Sequence, residues 1–322
     1  MGEALLKVRV HALRLEARDV ISVELQPAEA GGKLPAFEPG AHIDLHLPDG
    51  LVRSYSLLNC ASERRYVMGV LHARDSRGGS RYVHEQLRLG AQLRISAPRN
   101  HFRLLEDAPG TVLLAGGIGV TPLLAMLRRL VQLGQPVEFI HCACSPADAA
   151  FLHDIESIAA EHPQVQLHHH FDDVQGGPPE LRKLLAGKPA DTHFYGCGPS
   201  PMLAAFEDAC AALGHTHVHL ERFAPIDQAP STVTQTCTVE LRRSGRSLQV
   251  GPEVSILDAV LAAGIPADSS CHEGMCGACE TKVISGDVEH RDSILTQQER
   301  TANKSMMICV SRCRGGTLVL DL

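Results

Sequence analysis

Residues 269–283 read SSCHEGMCGACETKV and place Cys271, Cys276 and Cys279 within nine positions, with Cys309 following after 29 intervening residues. The intervals, C-x4-C-x2-C and a distant fourth cysteine, are the plant-type [2Fe–2S] ligand spacing. Two irons held by four thiolates make an anionic cluster, so the loop must bring backbone N–H groups close to the sulfurs. Gly274, Gly277 and Ala278 leave room for that approach. A zinc site would favour paired CxxC units, whereas Cys309 is followed by Val310-Ser311-Arg312. Cys313 competes for the fourth position, and Cys309 is the expected ligand. Cys60, Cys142, Cys144, Cys210 and Cys237 read as small packed hydrophobes.

The surrounding chain fits a reducing compartment. Eleven cysteines in 322 residues, grouped at tight spacing, point to metal ligands or catalytic thiols over disulfides. Net charge is −7 and no basic run stands out, which argues against nucleic acid or an anionic membrane as partner. The opening MGEALLKVRVHAL lacks the apolar core of a signal peptide, and no apolar stretch approaches the roughly 18 residues of a membrane span. The expected location is the cytoplasm.

Upstream and downstream of the cluster, three textures divide the chain. Residues 1–104 alternate apolar and polar in short runs (LKVRVHALRLEA, HIDLHLPDG, RYVMGVLHA) between Gly/Pro turns, the pattern of an antiparallel barrel. Residues 105–225 alternate strand and helix, giving a doubly wound parallel sheet. There GTVLLAGG runs into VTPLLAMLRRLVQLG, with Thr121 the expected N-cap and Pro122 the first helical residue. SPMLAAFEDACAALG follows later, with Ser200 as cap. Residues 226–235 read as a linker. Residues 236–322 form the cluster domain, where SILDAVLAAG reads as a short helix with a Ser255/Asp258 capping box. In HHH (168–170), strand alternation sends His168 and His170 to one face and His169 to the other, which disfavours a metal site.

CHEGMCGACETKVISGDVEHRDSILTQQER, with CVSRC and LVLDL after it, resembles the C-terminal ferredoxin domain of the phthalate dioxygenase reductase family, which includes vanillate O-demethylase reductases. The resemblance implies a multi-domain chain: an antiparallel β-barrel flavin domain, an α/β parallel-sheet NAD domain and a β-grasp plant-type ferredoxin domain.

RSYS (53–56) is similar to the RxYS flavin motif of that superfamily. This implies Tyr55 against the isoalloxazine, Ser56 near its N5 and Arg53 on the phosphate, although a plain strand with an exposed arginine reads the same. Gly78, Gly79 and Ser80 offer successive N–H groups and a hydroxyl, a suitable phosphate cradle. Followed by PRNHF (98–102), the set looks like the FMN branch. FAD would need a stacking partner for adenine, and Phe223 is the only aromatic candidate.

AGGIGVTP (115–122) places Gly116, Gly117, Gly119 and Thr121 at a strand-to-helix turn where a pyrophosphate can meet backbone amides. In YGCGPSPML (195–203), the resemblance puts Cys197, Gly198 and Pro199 beside the nicotinamide. Ser56 and Cys197 are therefore the side chains expected nearest the reacting atoms. After the second α/β strand the sequence HCACSPADAAF has no basic residue for a 2′-phosphate, while Asp148 suits a ribose hydroxyl, so NADH is expected over NADPH.

A flavin accepts an electron pair and releases it singly, which suits it to stand between NADH and a one-electron cluster. The expected function is the NADH-dependent reductase component of a multi-component, Rieske-type aromatic oxygenase or O-demethylase. A reductase for a cytochrome P450 or a carnitine-type monooxygenase is one alternative. A non-catalytic redox-sensing iron–sulfur flavoprotein is another.

Overall fold

A computed structural model describes residues 5–29, 31–60, 62–74, 76–224 and 233–322, without the side chains of Asp49 and Gln298. Residues 5–223 and 233–322 fall in two separate compact units. Most of the expected linker lies outside the described residues. No described helix is long and apolar enough to cross a membrane.

The first unit begins with β1 (Leu6–Ala17), β2 (Val20–Pro27), β3 (His42–His46), β4 (Val52–Ser56), β5 (Tyr66–Leu71), helix α1 (Gly79–Glu85) and β6 (Gln92–Ile95). The strands pair antiparallel in the order β4-β3-β6-β1-β2-β5, and a bridge between Leu57 and Met68 joins the two edges of the rolled sheet. Period-2 alternation in these strands sends Val8, Val10, Val23, Leu25, Ile43 and Leu45 inward to a core that includes Val83 of α1.

A parallel sheet follows, built from β7 (Gly110–Gly116), α2 (Val120–Gln132), β8 (Val137–Ala143), α3 (Leu152–Glu161), β9 (Val165–Phe171), α4 (Asp172–Gln175), α5 (Leu181–Leu185), β10 (Thr192–Cys197), α6 (Ser200–Leu213) and β11 (Val218–Glu221). Its order is β11-β10-β7-β8-β9. The direction of winding reverses between β7 and β10, so the loops that leave these neighbours diverge and open a crevice at their carboxyl ends. Both faces are covered, and β8 is buried at every position.

The second unit holds β12 (Cys237–Leu241), β13 (Arg246–Val250), α7 (Ile256–Ala262), β14 (Glu280–Ser285), β15 (Val288–Glu289), α8 (Gln297–Ala302), β16 (Ser305–Met307), β17 (Arg312–Cys313) and β18 (Thr317–Leu320). Its main sheet runs β13-β12-β18-β14-β16 with β12 and β18 parallel, and Ile256, Leu257 and Val260 of α7 pack into its core. This is the β-grasp arrangement expected from the ferredoxin resemblance.

Two helix starts and one capping box differ from the sequence reading. Thr121 is inside the first turn of α2, not its cap, because residues 117–119 already coil as a 3-10 turn; its hydroxyl donates to the Ile118 carbonyl, 2.9 Å away. Ser200 is the first residue of α6, with extended Pro199 as cap and no side-chain capping bond. Ser255 does accept from the Asp258 N–H (2.9 Å), but aspartate is one methylene shorter than the glutamate that closes such a box. The reciprocal pair occurs instead at Thr296 and Glu299 of α8.

Candidate functional site

Strand β4 delivers RSYS to the rim of the rolled sheet. The Arg53 guanidinium donates to the carbonyls of Val52 (2.8 Å) and Arg77 (2.9 Å), which draws it onto the loop that opens α1. A Cβ on Gly79 would lie 2.5 Å from Arg53 Cγ, and Gly78 turns with φ +96. Only glycine therefore lets the arginine lie along these amides. Ser80 Oγ accepts from the Ala73 N–H (3.2 Å) and lies 2.9 Å from Ser76 Oγ. Arg53, Gly78, Gly79 and Ser80 thus converge, and a guanidinium beside successive N–H groups is a donor set suited to a phosphate. With the flavin phosphate held in this cradle, Arg53→Ala would remove a charge-assisted contact worth about 2 kcal/mol, and FMN retention should weaken roughly thirtyfold. Unchanged flavin content after gel filtration would remove Arg53 from the phosphate site.

Tyr55 and Ser56 continue the same strand. Burial pushes the Tyr55 phenol up to about 12 despite the nearby Arg53 charge. Ser56 is buried, and its hydroxyl lies 3.4 Å from Glu221 Oε2 at the end of β11. Glu221 in turn pairs in register with Cys197 at the end of β10. Ser56, Cys197 and Glu221 therefore meet where the rolled sheet faces the carboxyl ends of the parallel strands. Burial pushes the Glu221 carboxyl up to about 8, with the Ser56 hydrogen bond opposing, and burial with the Glu221 charge drives the Cys197 thiol well above its usual range. Glu221 was missed in the sequence, where HLERFAP was weighed only for the neighbouring Phe223. An acidic residue closing a parallel strand was the available signal.

The two glycine turns lock into each other. A Cβ on Gly119 would stand 2.3 Å from the Cys197 carbonyl oxygen, one on Gly116 2.6 Å from Met202 Cε, and one on Gly198 3.0 Å from Gly116 Cα. Gly117 alone has open space around its Cβ position, at φ +52. Pro199 abuts Gly116 from the facing turn. Thr121 touches the barrel, since a Cβ on Gly69 of β5 would meet its methyl at 2.7 Å and the Phe151 ring at 3.1 Å.

Asp148 and Phe223 stand apart from this cluster of contacts. Asp148 accepts from the Ser145 hydroxyl (2.6 Å) and lies 3.5 Å from Arg18 Nη1, while the Arg18 N–H donates to the Ala147 carbonyl (2.8 Å). The sequence showed no basic residue after the second α/β strand; the fold supplies one from the β1–β2 turn. Phe223 is 41% exposed. The three histidines after Leu167 separate as their alternation predicts: His168 faces Glu138, His170 reaches the Gly177 carbonyl, and His169 stacks on Phe171 and faces His141.

The four cysteines expected to ligate the cluster form two pairs. Cys279 Sγ lies 3.1 Å from Cys309 Sγ, while the Cys271 N–H points at Cys276 Sγ (3.5 Å) and those of Glu273 and Met275 at Cys271 Sγ (3.3 and 3.5 Å). Backbone amides of Gly274 and Ala278 face Cys309 and Cys276. The loop can turn its amides inward because Gly274 and Gly277 adopt left-handed φ of +68 and +70. As bare thiols the set is frustrated: the hydrogen bond between Cys279 and Cys309 pushes the donor up and holds the acceptor down, and the Cys271 contact, then burial, push Cys276 up. Four ionised sulfurs here need a bound cation, and two pairs suit two irons. Cys313 packs against Cys237 instead.

Comparison with known proteins agrees with this geometry. Residues 239–314 match the family described as "2Fe-2S iron-sulfur cluster binding domain", and residues 113–208 match "Oxidoreductase NAD-binding domain". The chain is 45% identical to phenoxybenzoate dioxygenase subunit beta of Ectopseudomonas oleovorans over 98% of this chain and 97% of that one. Among solved structures, a type IV self-sufficient cytochrome P450 monooxygenase is 36% identical with a TM-score of 0.89; this chain is covered to 99% but spans only 41% of that polypeptide. Phthalate dioxygenase reductase, described as modular for electron transfer from pyridine nucleotides to [2Fe-2S], is 32% identical with a TM-score of 0.68, covering 99% of this chain and 98% of its own. With identity at this level running end to end, the chain belongs to the phthalate dioxygenase reductase family.

Proposed function

We propose that the oxygenase this reductase serves is Rieske-type, acting on an aromatic ring or an aromatic methyl ether. The coarser function is that of the family: a reductase component carrying electrons from NADH through FMN and a [2Fe–2S] cluster to an oxygenase. The observation that carries it is the meeting of Ser56, Cys197 and Glu221 in the same unit as the Arg53–Gly79 cradle. We assign the flavin to residues 1–104, the nicotinamide to 105–225 and the cluster to 236–322.

In this reading FMN supplies hydride acceptance and one-electron release. Arg53 with the amides of Gly78, Gly79 and Ser80 holds its phosphate, and Tyr55 shields one side of the ring. The interlocked turns of Gly116–Gly119 and Cys197–Pro199 position the dinucleotide, while Thr121 and Phe151 exclude water from the barrel side. Asp148, tied to Arg18 and Ser145, receives the adenosine ribose. Cys271, Cys276, Cys279 and Cys309 ligate the cluster, whose plant-type potential of roughly −400 mV is low enough to reduce a Rieske centre.

Glu221 makes the hydride step sensitive to pH. Its carboxyl is neutral below about 8 and ionises above that, 3.4 Å from the Ser56 hydroxyl, where a bound flavin would accept hydride. Flavin reduction by NADH should therefore slow as pH rises through about 8. Glu221→Gln, neutral throughout, should abolish that decline, and a decline that persists would assign it to another group.

The likeness to the reductase part of a self-sufficient P450 favours a haem oxygenase as the second reading. NADH-driven reduction of a Rieske oxygenase and of a P450, side by side with this chain, separates them: turnover of the P450 alone would sink the Rieske assignment.

A further inference from the structure

Behind the cluster loop lies a buried pair that the electron path described above does not use. Asp292, between β15 and α8, has a side chain with 0% exposure. Its Oδ2 accepts from the N–H groups of Ile294 (3.1 Å) and Leu295 (2.7 Å), whereas Oδ1 is buried with no hydrogen-bond partner. Facing Oδ1 at 4.0 Å is Nδ1 of His290, itself 7% exposed and also without a partner. The nearest other cation, Arg300, donates to the Asp292 backbone carbonyl (2.6 Å) and stands 3.9 Å from Oδ2.

The proton count around His290 is constrained. Asn303 Nδ2 donates to the Gly286 carbonyl (2.8 Å), which fixes its amide so that Oδ1 faces His290 Nε2 at 3.1 Å. Nε2 must then donate. A ring with one proton would turn a bare lone pair at Nδ1 toward a bare carboxylate oxygen, two buried acceptors face to face. A second proton on Nδ1 turns that facing of two acceptors into an ion pair at 4.0 Å. The pair also abuts the cluster loop: a Cβ on Gly274 would lie 3.0 Å from Asp292 Cα, the Ser293 N–H donates to the Gly274 carbonyl (2.9 Å), and the Gly274 amide faces Cys309.

We propose that Asp292 and His290 form a buried carboxylate–imidazolium pair that positions the Gly274 amide toward Cys309 and balances charge beside the iron–sulfur cluster, so that both are positioning residues for its reduction. The proposal rests on the cluster assignment. Asp292 keeps the 293–295 turn in place, which holds Gly274. His290, together with Arg300 on the other carboxylate oxygen, offsets the negative charge that Asp292 would otherwise present to a cluster about to gain an electron.

The test is a redox titration of the cluster in the full-length holoprotein, read by EPR. Asp292→Asn should move the midpoint potential upward, because a negative charge is removed. His290→Gln should move it downward, because one of the two positive groups facing the carboxylate is removed and Arg300 alone remains. Structural loosening alone would not give shifts of opposite sign. Loss of the cluster from Asp292→Asn, with a lowered potential in His290→Gln, also supports the pair. Equal potentials in all three proteins, shifts in one direction, or cluster loss from both variants would overturn it. A wild-type chain that takes up no cluster would instead overturn the cluster assignment itself.

Discussion

Cys276→Ser should give a protein whose flavin is still bleached by NADH but whose iron–sulfur absorbance is gone and whose electron delivery to an oxygenase falls to background. Cys276 is 2% exposed and sits in the loop where the amides of Cys271 and Ala278 face its sulfur. A serine oxygen is smaller and harder than a thiolate and is a poor match for iron at that position. The residues assigned to flavin and nicotinamide all lie within 5–223, and the four cysteines within 233–322. Loss of the cluster should therefore spare NADH-dependent reduction of a two-electron acceptor. Optical spectra before and after NADH addition check both halves, and loss of flavin reduction as well would contradict the separation of the sites.

Gly119→Ala should have the second large effect, in the opposite half of the path. The added methyl would stand 2.3 Å from the Cys197 carbonyl oxygen and 2.7 Å from the Gly198 amide nitrogen. Both are backbone atoms, so the two turns must part. A displacement near 1 Å at a hydride-transfer site can cost about a hundredfold in rate. The expected result is a roughly hundredfold lower rate of flavin reduction by NADH, with normal flavin and cluster content. Gly117→Ala is the control, because its Cβ position is open and the strain of φ +52 is its main penalty. Equal losses in both variants would mean that conformational strain, not the contact with Cys197, sets the rate.

Local chemistry made much of this legible before any coordinates. The cysteine intervals specify the cluster because ligand spacing is a property of one short loop. The alternation in LKVRVHALRLEA and the strand–helix rhythm after residue 105 give the sheet types because burial period is also local. Gly119 was marked for backbone approach to a pyrophosphate and Gly198 as a neighbour of the nicotinamide, although the contact between their two turns was not visible. The helix caps were read two residues off at Thr121 and one off at Ser200, since the 3-10 turn at 117–119 and extended Pro199 decide where helical hydrogen bonding begins.

By itself, the chain's sequence determined that it carries a plant-type cluster loop, an RxYS strand and two glycine turns in the order of one family. Only the tertiary structure brought Glu221 beside Ser56 and Cys197, carried Arg18 from the barrel to Asp148, and set His290 against Asp292 behind the cluster loop. The physical reason is distance along the chain. Spacing within a loop is written in consecutive residues, whereas Ser56 and Glu221 are 165 positions apart and meet only because two sheets pack edge to end. Burial and charge at such meetings depend on the neighbours that folding supplies.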